Sequence, residues 1–238
     1  MEENVKGILS ANRGEAIKVI KKRFEVDGYN LKIFLVNFAD FGVPQLRERV
    51  LFVGIRKDIK TPFIPPIPTH TQDMHVTCQE AFWDIPEGCP NNEYMKVSSE
   101  VAERLKLIPE GGNYKDVEHT EYAVKGLMSN IYRRLDRRKP SYTVIASGGG
   151  GTWGYHYEEP RPLTNRERAR LQGFPDDFIF KGNNTEVRRQ IGNAVPPAGI
   201  YPFAKRLENV LDGIVPECDT SKCLPEYDTE TKKFKLLD

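Results

Sequence analysis

The residue types best suited to chemistry cluster in the second half of the chain. Arg161–Phe178, RPLTNRERARLQGFPDDF, carries Arg161, Arg166, Arg168 and Arg170, and Arg133–Lys139, RRLDRRK, sets five positive charges against one negative. A guanidinium stays charged near neutrality, and its planar fork of donors matches the oxygens of a phosphate. Arg166 and Arg170 fall one turn apart on a helix, so one face presents both. Arg133, Arg134, Arg137, Arg138, Arg166 and Arg170 are therefore the expected phosphate contacts. A solvated basic face is the other reading of the same pattern. Cys78, Cys89, Cys218 and Cys223 show no C-x-x-C spacing, and His70, His75, His119 and His156 are scattered, so no metal site is expected.

The elements that must hold these residues are legible to different degrees. Thr164 and Glu167 form a capping box, so a helix is expected from about Asn165, with Ala169 and Leu171 turned inward and Gly173-Phe174-Pro175 as its stop. Glu186–Gly192 reads as a helical turn. Pro196–Gly213 reads as an amphipathic helix with Ile200, Phe203, Leu207, Val210 and Leu211 inward. Near the N-terminus, Gly14–Val26 has Ile17, Ile20 and Phe24 on one helical face, and Gly28 stops it. Leu31–Val36 and Val50–Ile55 are apolar runs that suit buried strands, with a loop at Phe38–Pro44. One helix and two strands make half of an α/β layer, and they leave one sheet face wanting cover.

From Lys60 the pattern changes. Pro62, Pro65, Pro66 and Pro68 mark an extended linker, and the chain to about Tyr157 is turn-rich. Short helices are expected at Thr77–Asp84, Ser98–Leu107 and Ser129–Leu135, and a strand at Ser141–Ala146. Gly148–Gly151 is not G-x-G-x-x-G, so a flexible loop that admits close backbone approach fits better than a phosphate cradle. Trp153, Tyr155, His156 and Tyr157 suit either base stacking or a satellite core. Residues from Val215 onward mix charged and apolar types without period, and no element is assigned to them.

The chain has 238 residues, 39% hydrophobic and 29% charged, with a net charge of +1, as in an ordinary globular protein without a global basic field. No run of 18 apolar residues and no signal-peptide pattern occurs, so nothing indicates a membrane or export. The cysteines are expected as free thiols in a reducing cytoplasm.

Four stretches, in this order, resemble the C5-cytosine DNA methyltransferase family. Glu3-Asn4-Val5 looks like its ENV motif and Gln45-Leu46-Arg47-Glu48-Arg49 like its Q-x-R-x-R motif. Arg161–Phe178 and Gln190–Pro197, QIGNAVPP, look like its last two motifs. The resemblance extends to about Leu211. It implies an α/β fold in which this chain is a partial Rossmann-like methyltransferase layer with an irregular target-recognition segment and C-terminal helices. The implied divisions are residues 1–60 as part of the catalytic layer, 61–160 as target-recognition region, 161–213 as final motifs packing back on that layer, and 214–238 as a tail. In the family the cofactor glycine motif and the catalytic Pro-Cys motif lie upstream of ENV, where this chain begins. Cys78-Gln79 is not taken as a substitute, because Val76-Thr77 precedes it and it opens a helix.

The resemblance also implies a reaction and its residues. A thiolate adds to C6 of a flipped cytosine, and a methyl group moves from S-adenosylmethionine to C5. Charge developing on N3 and O2 needs a carboxyl that can donate and a permanent cation. Glu3 matches the first and Arg49 the second, with Arg47 in support and Gln45 ordering the loop. Asn193, Ala194 and Val195 match the segment that completes the cofactor pocket. Expected partners are double-stranded DNA and a chain or segment supplying the N-terminal half, in a restriction-modification enzyme of bacterial or phage type. A DNA-holding module without chemistry and an inactive remnant are the alternatives. The uncovered face of the strand pair is the expected docking surface for the missing half.

Overall fold

The computed structural model describes residues 1–125, 128–146 and 154–236. In chain order, β1 is Glu2–Val5, α1 Glu15–Val26, β2 Tyr29–Asn37, β3 Gln45–Leu46 and β4 Glu48–Arg56. They are followed by α2 at Cys78–Phe82, α3 at Ser99–Leu107, β5 at Ser141–Tyr142, α4 at Asn165–Leu171 and α5 at Asn184–Asn193. The last elements are α6 at Pro197–Leu211, β6 at Glu226–Asp228 and β7 at Lys233–Lys235. Two compact units result. One comprises residues 1–42, 47–73 and 198–238, and the other residues 43–46 and 74–197. The span 161–213, read from sequence as one group, therefore divides: α4 and α5 belong to the second unit and nearly all of α6 to the first.

The first unit is built on an antiparallel sheet in the order β1-β4-β2-β6-β7. Strand alternation sorts β2 and β4 into two apolar faces. Ile33, Val50 and Phe52 share one core cluster with Ile17 of α1. Phe34, Val36, Leu51 and Val53 occupy the alternate positions and are 0% exposed. This corrects the expectation of an uncovered face. Phe63, from the proline-rich segment, meets Phe34 at 5.9 Å, and Phe41 packs at 5.1 Å on Phe203 of α6. The prolines thus serve as a strap carrying an apolar plug as well as a linker.

Three elements of this unit carried no periodic signal. β1 is too short for one and forms the edge of the sheet, while β6 and β7 recruit the tail through Phe34↔Glu226 pairing. On α6, Phe203 and Val210 are buried, but Leu211 is 74% exposed because the helix ends there, short of the expected inward turn.

The second unit has little regular structure. Its core gathers Cys78, Phe82, Leu135, Val144, Leu163, Ala169, Leu171 and Ile191 around α2, α4 and α5. A capping box at Thr164 starts α4 as expected, a second at Thr77 starts α2, and Ser98 and Asn183 cap α3 and α5. Gly173, at φ 77°, ends α4, with the Phe174 amide donating to the Ala169 carbonyl at 2.9 Å. The expected helix over residues 129–135 is absent: Tyr132 adopts φ 49°, and Arg134 pairs instead with Tyr155. Of the expected strand at residues 141–146, only β5 forms, parallel to β3. Gly148–Gly151 and Trp153 lie outside the described residues. Tyr155, His156 and Tyr157 are all under 9% exposed, which resolves them as core.

Candidate active site

The sheet brings Glu3 and Arg49 together. Glu3 pairs with Leu51 and Val5 with Arg49, so the two side chains are diagonal neighbours on one face. Arg49 Nε lies 2.7 Å from Glu3 Oε1, with side-chain exposures of 13% and 21%. Arg49 Nη1 also donates to its neighbour's carbonyl, Glu48 O, at 2.8 Å. Burial lowers the affinity of Arg49 for its proton, and the carboxylate of Glu3 opposes that effect.

Arg47 is more deeply placed, at 3% exposure. Its amide donates to Asn37 Oδ1 at 3.2 Å and its carbonyl accepts from Phe38 at 3.0 Å, which fixes the chain just before β4. Burial, followed by the positive charge of Arg49, brings its guanidinium down to about 10, with Glu3 acting in the other direction. Two cations and one carboxylate thus share this face of the strand, leaving one positive charge in excess.

In the second unit, two buried glutamines tie three motif stretches together. Gln45 Nε2 donates to Leu171 O at 3.0 Å and Gln172 Oε1 at 2.6 Å, while Gln45 Oε1 accepts from the Val144 amide at 2.6 Å. Gln172 Nε2 continues the chain to Ala194 O at 2.5 Å. Both glutamines are 0% exposed. Gln172 was not singled out from the sequence, since a lone glutamine after a helix has no periodic or charge signature. Gly192 has a related role: a Cβ there would meet the Ala146 backbone nitrogen at 2.3 Å, so only glycine lets α5 approach the chain at residues 145–146.

Asn193 is exposed, and its carboxamide makes no hydrogen bond among the described residues; Ala194 and Val195 are half-buried. One carboxamide beside two small apolar side chains fits one wall of a site for a nucleoside-bearing cofactor, and no more than a wall. The unit also settles Cys78. It is 0% exposed, and burial, with Asp136 adding to it, pushes its thiol up to about 12. That is the opposite of a nucleophile's environment.

The arginine cluster separates into two kinds. Arg134 donates to the carbonyls of Leu105, Ile108, His156 and Tyr157 at 2.5–3.1 Å. Arg166, 0% exposed, donates to Pro90, Pro175 and Phe178 at 2.7–2.9 Å. These two are corrections: with each guanidinium nitrogen donating to a backbone carbonyl inside the unit, they serve as scaffold in this fold. Arg170 is also internal, paired with Asp176 and Asp84 and donating to Ala81 O. Arg137 pairs with Glu110 at 2.7 Å and lies 5.0 Å over the Tyr157 ring. Arg133 stacks on Tyr142 at 3.4 Å, and Arg138 extends outward with 81% of its side chain exposed. Sequence proximity could not separate these roles, because all six share one residue type and lie in two short runs.

Among the described residues no cluster of His, Cys, Asp and Glu fit to hold a metal is found, and no helix is long and apolar enough to cross a membrane. A family model described as C-5 cytosine-specific DNA methylase matches residues 1–209. The chain is 54% identical over 213 residues to a type II methyltransferase of Neisseria gonorrhoeae (M.NgoFVII), covering 86% of this chain and 57% of that protein. It is 50% identical over 204 residues to a type II methyltransferase of Brevibacillus brevis (M.BbvI), covering 83% of this chain and 54% of that one. The chain thus spans little more than half the length of these relatives. In fold it is similar to a solved DNA modification methyltransferase from an Escherichia coli prophage, at a TM-score of 0.61 and 23% identity, over 88% of this chain and 68% of that one. A family model spanning residues 1–209, with relatives 54% and 50% identical, decides the assignment: the chain belongs to the C-5 cytosine-specific DNA methylase family.

Proposed function

We propose that this chain is the C-terminal portion of a restriction-modification DNA (cytosine-5)-methyltransferase and supplies the groups that stabilise a flipped cytosine during attack at C6. The observation that carries the reading is the 2.7 Å contact of Glu3 with Arg49 on neighbouring strands. Attack by a thiolate drives electrons toward N3 and O2 of the ring. Arg49 donates to O2, and the Glu3 carboxyl, once it has taken a proton from solvent, donates it to N3. Arg47, held by the fold behind Arg49, adds positive charge and keeps the strand entrance in place.

S-adenosylmethionine supplies the methyl group when bound, and Asn193, Ala194 and Val195 form this chain's wall of its site. Double-stranded DNA is the substrate, with phosphates contacted by Arg133, Arg137 and Arg138. The thiolate comes from a second chain or segment, because none of the four cysteines directly follows a proline and Cys78 is buried. Since both faces of the β2–β4 pair are covered, that partner is proposed to meet the outer edge of β1, where unpaired backbone groups end the sheet.

Transfer of labelled methyl groups to duplex DNA tests the reading. The purified chain is expected to be silent alone and active when mixed with the upstream half of a close relative. Methyl transfer by the chain alone that survives Cys78→Ser would overturn the assignment of roles.

A further inference from the structure

Trp83 is the C-cap of α2 and is 82% exposed. Its aromatic neighbours are engaged elsewhere. Phe82 stacks on His156 and Tyr157, and Tyr94 lies under the Arg161 guanidinium at 4.3 Å. The Trp83 indole makes no ring contact or hydrogen bond among the described residues. Yet the helix that carries it is firmly held. Cys78, Ala81 and Phe82 are buried in the unit's core, and Arg170 donates to the Ala81 carbonyl at 3.0 Å.

The same helix is fastened to the basic segment. The Cys78 amide donates to Lys139 O at 2.9 Å and the Gln79 amide to Arg137 O at 3.1 Å. Trp83 and Arg138 consequently line one concavity of about 420 Å³, with Thr77, Gln79 and Glu80. Glu80 is occupied by the Thr77 cap, receiving its amide and hydroxyl at 2.8 and 2.7 Å. Arg138 and Lys139, with side chains 81% and 71% exposed, share the single carboxylate of Asp136 at 3.5 and 3.4 Å. Asp136 and Glu80 together balance Arg138 and Lys139 in charge, but the largely exposed Arg138 guanidinium stands beside an uncommitted indole on a firmly held helix. A second concavity, about 370 Å³, shares Trp83 and Gln79 in its lining and adds Phe82, Tyr94 and Tyr157.

We infer that Trp83 is a base-contacting residue for duplex DNA, its ring face meeting a base left unstacked beside the flipped cytosine, on the strand whose phosphates Arg138 and Lys139 hold. This rests on the proposed reading of duplex DNA as the substrate. A planar π-face and a cation in one concavity match the two chemically distinct halves of a nucleotide. Fixing both on one backbone-linked platform removes the ordering cost that a free loop would carry. The stacking part is tolerant of base identity, while hydrogen-bond donors and acceptors at the rim, Gln79 and Asn92 among them, lie where base edges would pass.

The test uses the full chain with Trp153→Phe, which leaves Trp83 as the sole tryptophan. A labelled duplex is titrated at low salt while anisotropy and tryptophan emission are followed together. Trp83 emission is expected to be quenched in step with the anisotropy rise. Trp83→Ala should lower affinity about tenfold, Trp83→Phe should restore most of it, and neither should change Tm or the salt slope. Arg138→Ala should instead reduce the salt slope by about one. Binding with unchanged Trp83 emission, or wild-type affinity in Trp83→Ala, would overturn the proposal while leaving the DNA reading intact. No anisotropy change at any salt would overturn both. Self-association lost in Trp83→Ala, with DNA affinity retained, would assign the indole to contact between copies and likewise overturn it.

Discussion

In the sheet unit, Phe34, Val36, Val50, Leu51 and Val53 are buried at 0% exposure and held by other apolar side chains. In the unit of residues 74–197, Arg134 and Arg166 are buried as well, but they hold four and three backbone carbonyls respectively. The contrast follows from backbone satisfaction. Strands pair their own N–H and C=O groups, so their side chains are free to be apolar; irregular chain cannot, and its buried carbonyls need donors from elsewhere. A guanidinium with five donors meets that need more completely than any other side chain. An arginine-rich run in a turn-rich segment is therefore as much a sign of internal scaffolding as of a polyanion nearby.

Arg166→Ala tests this contrast most severely. Three carbonyls lose a charged donor in a fully buried place, and a loss of about 4 kcal/mol is expected, read by urea denaturation of the second unit. Arg166→Lys should recover little, since an ammonium cannot span three directions with fixed geometry. Stability close to wild type in Arg166→Ala would mean the guanidinium is dispensable and would return it to the phosphate-contacting group.

The sheet's own arginines sharpen the comparison. In a reconstituted methyl-transfer assay, Arg49→Ala should cost roughly 1.5–3 kcal/mol in transition-state stabilisation with only a small change in Tm. Arg47→Ala should do the reverse, lowering Tm more and kcat less, because the Arg47 side chain is the more deeply buried of the two. Equal effects of the two changes on both readouts would refute the division of roles.

Gly192→Ala probes close packing in the second unit. The added methyl meets the backbone at residues 145–146, and about 1–3 kcal/mol should be lost as α5 moves outward. The smallest effect is a pH dependence at His156. Burial is the main cause of its lowered proton affinity, partly offset by Glu167, and its Nδ1 accepts from the Glu158 and Glu159 amides at 3.1 Å each. The unfolded chain takes the proton near pH 6.5 and the folded one only lower. The second unit should thus be fully stable above that value and lose stability as pH falls below it. His156→Asn, which retains an acceptor, should flatten this part of the urea-midpoint profile; an unchanged slope would assign it to other groups.

Several parts of this molecule were decided by the sequence alone. Capping residues fixed the starts of α2 and α4, because a side-chain oxygen three residues ahead of its amide partner acts within one turn. Apolar runs fixed β2 and β4, because burial on both faces demands them. Glu3 and Arg49 were singled out only through the resemblance of their stretches to the family's motifs, and the sheet then placed them in contact. Tertiary structure decided what depends on distant partners. It placed Phe63 over the sheet, drew β6 and β7 from a patternless tail, joined Gln45 to Gln172 across 127 positions, and sorted six similar arginines into scaffold and surface. A hydrogen-bond donor carries no local mark of where its acceptor will be, and only the folded chain brings the two within reach.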